Sequence, residues 1–331
     1  MKRLLILLAS GLLLLPFLVG GGSYALFLWR PVAPPEPVTL SVPRGRSFTA
    51  VARDLRDRGI ITSATGFRLL ARLRGEETAI RAGDYYFAER ARPGQILQRL
   101  VSGDVQRLQI TFAEGLNLWE MAAILEQSEL RDGAAFADLA RDGTLIASLG
   151  IEAETLEGYL FPETYTMDSQ TGSRQLIRAM VAQLERELTP ELLARAGELG
   201  LDRHQFLTLA SIVQKEAGND QEMPLVAAVF HNRLRRRMPL QADPTVIYGV
   251  EDYHGRITRR HLQTRTAYNT YRIPGLPIGP IANPGRSALQ ATAHPAPVDY
   301  LYFVSRGDGT HHFSKTLAEH NAAVRRYILN R

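Results

Sequence analysis

The apolar positions near the start of the chain form one uninterrupted run. Residues 4–29 include no charged side chain, whereas Lys2, Arg3 and Arg30 flank them. A run of this length predicts a single membrane-spanning helix over residues 4–29, because about 20 apolar residues cross a bilayer. The basic residues before it place residues 1–3 in the cytoplasm and the rest of the chain on the periplasmic or extracytoplasmic side of the cytoplasmic (inner) membrane. The small residues Gly20 to Ser23 leave a cleaved signal peptide as the alternative.

The pattern then changes to proline and to short alternations. Residues 30–37 predict a stiff linker that lifts the rest of the chain off the membrane, because proline fixes φ and donates no backbone hydrogen bond. Val38–Val42 alternates like a strand. Ser47 then offers an N-cap to a helix, and a second helix is expected around residues 66–74. The apolar residues of the first helix share one face: Phe48, Val51, Ala52 and Leu55.

The same pattern returns 70 residues further along the chain. It consists of alternating apolar residues, a glycine, a polar N-cap and apolar helix positions, which in the second copy are Ile110, Phe112, Gly115, Asn117, Leu118, Met121, Ala122 and Leu125. The match predicts a duplicated strand, turn and helix, and we assign residues 38–150 to this duplicated module. The βααβ unit resembles LysM-type modules, which hold N-acetylglucosamine polymers. The resemblance implies sugar binding and leaves open a role as a spacer or docking surface.

Residues 151–331 predict a mostly helical domain with a small β-hairpin. Asp202 with Gln205 opens one helix as a capping box, and Met223-Pro224 opens the next. A hairpin is expected with its strands at residues 299–305 and 310–313 and its turn at residues 307–309. A final helix is expected at about residues 316–329. The expected fold class is therefore α+β, with a membrane helix, a LysM-like part and a helical catalytic domain.

One carboxylate lies inside the edge of an apolar helix face. On a helix over residues 206–217, Glu216 falls between the directions of Leu209 and Ile212, and Lys215 lies opposite the apolar face. Desolvation and the negative end of the helix dipole both raise the pKa of a carboxyl group there. A glutamic acid that stays protonated suits glycosidic bond cleavage, because the departing sugar oxygen must receive a proton. A carboxylate that reaches water or pairs with an arginine is the alternative.

Composition narrows the chemistry further. The chain has 331 residues, enough for about two domains, and it has no cysteine, which excludes disulfides, thiolate metal sites and a cysteine nucleophile. The net charge of +5 favours anionic surfaces such as phospholipid, wall polymers or nucleic acid. The arginine-rich stretch 233–237 is interpreted as a helix end that faces anionic lipid or wall, and we expect no nucleic acid, which an exported chain rarely meets.

The histidines do not predict a metal site. No H-E-x-x-H pattern is present. His311 and His312 are adjacent on an expected strand, where neighbouring side chains point to opposite faces. We therefore expect no metal and no cofactor.

Four loops combine tyrosine, asparagine, threonine and proline: residues 243–249, 267–271, 275–277 and 280–285. Sugar clefts use this mixture, because aromatic faces stack on pyranose rings while amides and hydroxyls bind the ring substituents. Each loop alone is a weak signal, since turns favour Asn, Gly and Pro.

Seven motifs of the chain resemble those of the YceG-like endolytic murein transglycosylases. They are LEGYLFPETY at 156–165, ASIVQKE at 210–216, FHNRL at 230–234, DPTVIYG at 243–249, AYNTY at 267–271, AHP at 293–295 and YLYFV at 300–304. With the expected anchor and the LysM-like part, the resemblance covers nearly the whole length. It implies that Glu216, which ends the ASIV-x-KE motif, is the catalytic residue. The chain departs from the family pattern at Gln214, where relatives often have glutamate, and at Ile278, where proline is common.

The resemblance implies endolytic cleavage of the β-1,4 bond between MurNAc and GlcNAc in peptidoglycan strands. The C6 hydroxyl of MurNAc attacks its own C1 and leaves a 1,6-anhydro end, so that one glutamate first protonates the GlcNAc O4 and then accepts the hydroxyl proton. The resemblance also implies nascent strands as the substrate, termination or trimming of their elongation, and penicillin-binding proteins or other wall synthases as partners.

Further residues are candidates for binding the sugar and orienting the acid. They are Asn232, Asp243, Thr245, Tyr248, Tyr268, Asn269 and Tyr271, to which the EGYLFPET segment adds Glu157 and Glu163. A packing or turn-capping role stays open for each. Two other functions also stay open: a hydrolytic muramidase that uses Glu163 or Asp243 as its second carboxylate, and a non-catalytic scaffold that is anchored in the membrane and binds the wall.

Overall fold

The computed structural model describes residues 19–167, 171–250 and 253–329. Most of its elements are helices, and its strands form three two-stranded sheets. This confirms the α+β class in its general form. Two compact units make up the chain: the first runs to Gln109 and includes a short return at Thr166–Thr171, and the second contains Ile110–Tyr165 and the chain from Gly172 onward.

The predicted membrane helix lies mostly outside the described residues. Of residues 4–29, the structure describes 19–29, which are helical. Within the three described ranges, no helix combines the length and the apolarity that a membrane span requires.

The first unit has the order strand, helix, helix, strand, helix. Strand β1 (Val38–Val42) pairs antiparallel with β2 (Gly83–Phe87), and the helices are α1 (Phe48–Asp57), α2 (Ala64–Arg74) and α3 (Pro93–Ser102). The apolar face predicted for α1 is buried in the core of the unit. Its N-cap is the expected serine, whose hydroxyl oxygen accepts the N–H of the third helical residue at 3.3 Å. The predicted βααβ order is therefore present.

Residues 30–37 lie along the first unit. Phe27, in the helical stretch before them, is part of its buried core. Val32 and Ala91 exchange two backbone hydrogen bonds of 3.0 and 2.9 Å, and Pro34 is buried. The Val32–Ala91 pair fixes this segment beside the unit, and its predicted role as a spacer that lifts the chain off the membrane stays a prediction.

Both copies of the repeated pattern form a strand, a glycine turn and a capped helix. Gly45 and Gly115 have φ values of 80° and 78°, a conformation that a side chain disfavours. In the second copy, β3 (Leu108–Thr111) leads to α4 (Leu118–Gln127). The division between the units falls within this second copy, and the assignment of residues 38–150 to one module stays a prediction. Strand β3 pairs with a distant strand, β4 (Thr164–Met167), rather than with a strand of the repeat.

The second unit contains most of the helices. After α4 they are α5 (Gly133–Leu139), α6 (Gly143–Ser148), α7 (Ser173–Glu187), α8 (Pro190–Glu198), α9 (Arg203–Glu216), α10 (Met223–Arg235), α11 (Asp243–Tyr248), α12 (Arg259–Gln263), α13 (Arg286–Ala293) and α14 (Leu317–Val324). The predicted hairpin is present as β5 (Tyr302–Ser305) and β6 (His311–Ser314), which are antiparallel. Short 3₁₀ and π-helical turns occur at Asp220–Glu222 and Arg325–Leu329.

Helix α9 is the central element of the second unit. It packs against α10 and α13, and every side chain from Phe206 to Val213 is buried. The polar members of this stretch satisfy their hydroxyl groups locally: Thr208 donates to His204 O and Ser211 donates to Thr208 O, both at 2.7 Å. A helix that the sequence predicts to be amphipathic is thus buried nearly all round, because neighbours cover both sides.

Helices α4 and α5 approach too closely for a side chain at Gly133. A Cβ there would lie 2.3 Å from the backbone oxygen of Ala122. We expect Gly133→Ala to lower the free energy of unfolding by about 1–3 kcal/mol, since the helices must move apart. Gly143→Ala is the matched control, because a Cβ at Gly143 meets nothing within 4 Å. Urea unfolding compares the two variants, and equal stability would contradict the close approach.

Candidate active site

Helix α9 ends at a small cavity. Its start is fixed by the predicted capping box, in which Asp202 Oδ1 accepts the Gln205 N–H at 2.8 Å. Its last residue, Glu216, is partly buried and lines a cavity of about 220 Å³. The other lining residues come from α10, from the segment before α11, from the 267–271 loop, from β5 and from α14: Arg233, Leu240, Gln241, Asp243, Tyr271, Phe303 and His320.

Asp243 is held at the cavity by the start of α11. The backbone N–H groups of Gln241 and Ala242 donate to the carbonyl and hydroxyl oxygens of Thr270, at 3.2 and 3.0 Å. The buried Thr245 hydroxyl donates to Ala242 O at 2.6 Å and lies 2.9 Å from the Thr270 hydroxyl. Thr245, a candidate sugar ligand, therefore uses its hydroxyl to join α11 to the 267–271 loop.

Tyr271 reaches the same cavity. Its hydroxyl donates to Asp243 Oδ1 at 2.7 Å, and its backbone N–H donates to Asn269 Oδ1 at 3.0 Å. Of the candidate residues, the structure thus brings Glu216, Asp243 and Tyr271 to one cavity. The cavity also contains residues that were not among the candidates for sugar binding: Arg233, Leu240, Gln241, Phe303 and His320.

The surroundings of Glu216 favour its protonated form. Burial raises the pKa of Glu216 to about 8, and the negative charge of Asp243 adds to the rise. A hydrogen bond from the Asp243 backbone and the positive charge of Arg233 oppose it. A carboxyl group with this pKa carries its proton at neutral pH and can give it to a departing oxygen.

Arg233 lies beside this acid and is held by backbone carbonyls. Its buried guanidinium donates from Nε to Leu301 O at 2.7 Å and from Nη1 to Leu240 O at 2.8 Å. The arginines at 233–237 were expected to face anionic lipid or wall, and for Arg233 this is wrong, whereas the arginines at 235–237 are exposed. The sequence feature that could have predicted the burial of Arg233 is its spacing of three from the apolar Phe230, since residues three apart share a helix face.

Two candidate asparagines hold loops together. Asn232 donates from Nδ2 to Val298 O and Tyr300 O, both at 2.8 Å. Asn269 is almost fully buried and donates from Nδ2 to Thr264 O at 2.6 Å. Neither side chain lines the cavity at Glu216. Their amides therefore satisfy backbone groups, the packing alternative that the sequence left open.

A second buried acid, Glu157, lies at the other end of α11. Glu157 is 1% exposed, and its Oε2 accepts the Leu118 N–H and the Tyr248 hydroxyl, both at 3.0 Å. Its Oε1 accepts Asn283 Nδ2, also at 3.0 Å. Burial raises the pKa of Glu157 to about 7, although the hydrogen bonds from Leu118 and Tyr248 oppose the rise. Helix α11 thus connects the Glu216 cavity, at Asp243, to this second acid, at Tyr248.

The remaining candidates, Tyr268 and Glu163, lie away from Glu216. Tyr268 stacks edge-on with Tyr248 at 4.7 Å between ring centroids and lines a separate cavity of about 210 Å³ with Glu157. Glu163 is exposed, and its backbone oxygen accepts the Phe112 N–H at 3.1 Å.

The histidines of the hairpin have other partners. His311 Nδ1 lies 2.8 Å from Glu222 Oε2, and the ring of His312 lies 5.7 Å from that of Tyr327. In the part of the chain that the structure describes, no three His, Asp or Glu side chains are grouped closely enough to hold a metal ion.

These features define a class of protein: a mixed α+β fold in which a glutamic acid ends a buried helix at a cavity that also contains an aspartate. The model of the YceG-like family matches residues 40–326, and the chain belongs to the YceG-like family. The resemblance noted in the motifs is therefore confirmed.

Individual relatives agree with this family. The chain is 34% identical to the endolytic murein transglycosylase of Bacillus subtilis, over 94% of this chain and 91% of the relative. It is 26% identical to the endolytic murein transglycosylase of Streptococcus pneumoniae, over 88% of this chain and 58% of that protein. It is also similar to the crystal structure of a YceG-like protein of Listeria monocytogenes, with 30% identity and a TM-score of 0.60 over 87% of this chain and 98% of the other.

The influence of Asp243 on Glu216 can be measured directly. We expect Asp243→Asn to lower the pKa of Glu216, because the substitution removes the neighbouring negative charge while an amide oxygen can still accept the Tyr271 hydrogen bond. Carbon-13 NMR of labelled glutamate carboxyl groups follows the titration. Asp299→Asn, at an exposed aspartate, is the control and should leave the titration unchanged. The interpretation is wrong if both variants titrate like the parent protein.

Proposed function

We propose that the chain is a lytic transglycosylase that cleaves peptidoglycan glycan strands endolytically, with Glu216 as its acid and base. The observation that carries the proposal is the placement of Glu216 at a cavity, with burial and Asp243 raising its pKa to about 8. The names of the relatives from Bacillus subtilis and Streptococcus pneumoniae support the substrate class.

The reaction would proceed without water. Glu216 donates its proton to O4 of the departing GlcNAc as the bond to C1 of MurNAc breaks. The resulting carboxylate then accepts the proton of the MurNAc C6 hydroxyl while O6 bonds to C1, which closes the 1,6-anhydro ring and restores the protonated acid. Because the nucleophile belongs to the same sugar, its effective concentration is high. The negative charge of Asp243 would stabilise the positive charge that develops at C1.

A hydrolytic muramidase is the second candidate, and one observation favours it. Asp243 lines the cavity of Glu216 and could act as a second carboxylate, whereas Glu163 does not line it. Hydrolysis would use a water in place of the C6 hydroxyl. The mass of the products separates the two reactions, because an anhydro end lacks one water relative to a reducing end.

The cellular setting belongs to the same proposal. The apolar run of residues 4–29 would anchor the chain in the cytoplasmic membrane, with residues 1–3 inside and the chain after Arg30 outside, as the run and its basic flank suggest. Phe27, near the end of the run, packs in the core of the first unit. The βααβ part of the first unit would be LysM-like. The substrate would be nascent strands made by neighbouring penicillin-binding proteins, whose elongation the enzyme terminates or trims.

Loss of the acid gives the most direct test. Glu216→Gln should lower glycan cleavage by about a thousandfold, since general acid catalysis contributes roughly 10²–10⁴ in rate. Mass spectrometry of muropeptides released from isolated wall material measures both the loss and the anhydro ends in the parent protein. Asp299→Asn is again the control. Full cleavage by Glu216→Gln would assign the chemistry to another residue, and reducing ends from the parent protein would favour the muramidase.

The pH dependence should follow Glu216. Its folded pKa of about 8 lies above the ordinary value, so the proton is present below pH 8 and the rate should fall about tenfold per pH unit above it. The folded chain also binds more protons than the unfolded chain between about pH 5 and 8, so this group lowers stability as pH rises through that window. In Glu216→Gln the share of that slope that comes from Glu216, including all of it between about pH 7 and 8, should disappear, whereas Glu157, with a pKa of about 7, keeps its own share at lower pH. Rate profiles and unfolding at several pH values check both expectations, and a flat rate to pH 10 would contradict them.

A further inference from the structure

The positive charge of the chain is concentrated in its first part. Residues 19–109 contain 14 arginines and 8 acidic residues, a net charge of +6. Residues 110–331 contain 23 lysines and arginines and 26 acidic residues, a net charge of −3. The small overall excess of the whole chain therefore conceals a basic first unit and a slightly acidic second unit.

Four exposed apolar residues of the first unit lie on two helical segments. On α2, Leu69 and Leu73 are 43% and 70% exposed, and their spacing of four places them on one face. In the helical stretch 19–29, Leu26 and Trp29 are 62% and 68% exposed. Leu26 and Leu69 line one open cavity of about 440 Å³, so the two segments form one apolar surface.

Arginines lie among these apolar residues. Arg72 lies three positions after Leu69 on α2 and shares its helix face, and Arg30 lines the shared cavity. Arg72 keeps most of its side chain in solvent, although it lies 3.7 Å from Glu77. We call this surface the basic apolar face: Leu26, Trp29, Leu69 and Leu73 with Arg30 and Arg72.

We propose that the first unit docks through its basic apolar face onto an anionic lipid surface. Leucine and tryptophan gain from leaving water for the acyl and headgroup boundary, while arginines pair with phosphate groups, so the two kinds of residue together fit lipid. A water-soluble anionic wall polymer would pair with the arginines and leave the leucines exposed. Two of its members, Leu26 and Trp29, stand at the end of the apolar run of residues 4–29, which favours lipid as the neighbour of the face. The inference rests on the membrane attachment proposed above.

The absence of cysteine in the chain allows a clean test. The full chain carrying Leu73→Cys is labelled with an environment-sensitive fluorophore and reconstituted into phosphatidylcholine vesicles with or without phosphatidylglycerol. Asp57→Cys, at an exposed position of α1, is the matched control. We expect the label at 73 to enter an apolar environment with phosphatidylglycerol present, the response to fall with added salt, and the label at 57 to stay in water.

Removing the arginines should weaken the effect by a measurable amount. Arg30→Gln and Arg72→Gln should each shift the docking equilibrium about fivefold toward the undocked state, since one arginine at an anionic surface contributes about a factor of five. A silent label at 73, an equal response at 57, or an equal response to soluble polyphosphate would overturn the proposal.

Two further measurements separate this proposal from those on which it rests. Flotation of the chain with vesicles while the label at 73 stays silent overturns docking and leaves the anchor in place, whereas failure to float removes both. Glycan cleavage by the labelled protein without a label response overturns docking and leaves the enzymatic assignment intact.

Discussion

Glu216 keeps its proton because two conditions destabilise the carboxylate form: partial removal from water and the negative charge of Asp243. Both are lost if either group moves a few ångströms toward solvent, so the arrangement requires rigid support. Helix α9 supplies it on one side, because eight consecutive residues before its last turn are buried. The hydrogen bonds of the Thr245 hydroxyl with Ala242 O and the Thr270 hydroxyl supply this support on the other side, at the start of α11.

Helix α11 is short, yet both of its ends contact buried acids. Asp243, its first residue, faces Glu216, and Tyr248, its last, donates to Glu157. A six-residue helix has little stability of its own, so its position is determined by these end contacts and by its packing. The polar loops that the sequence associated with sugar binding therefore have a structural task as well: they fix the distance between Asp243 and Glu216.

Local patterns predicted much of this structure. The strand, glycine turn and capped helix of both repeat copies follow from spacing and cap chemistry, as does the β5–β6 hairpin. The helical periodicity of residues 206–217 placed Glu216 beside apolar neighbours. Long-range strand pairing could not be predicted from the sequence, because nothing in the repeat shows that β3 pairs with β4. Nor does the helical periodicity of α9 show that α10 and α13 cover both of its sides. The hydroxyl of Thr245 and the amides of Asn232 and Asn269 can bind a sugar as well as a backbone carbonyl. The residue type alone therefore could not decide between these two roles.

The hydrogen bonds of Glu157 have a consequence for how the second unit folds. They connect it to residues 39, 91 and 126 positions away in the chain. Contacts of such separation form slowly, because the intervening chain loses much entropy before they are made. The unpaired carboxylate of a partly folded chain would remain hydrated until Leu118, Tyr248 and Asn283 have all arrived. Closure of this cluster is therefore a late event, and the end of α11 at Tyr248 reaches its final place only after most of the second unit has assembled.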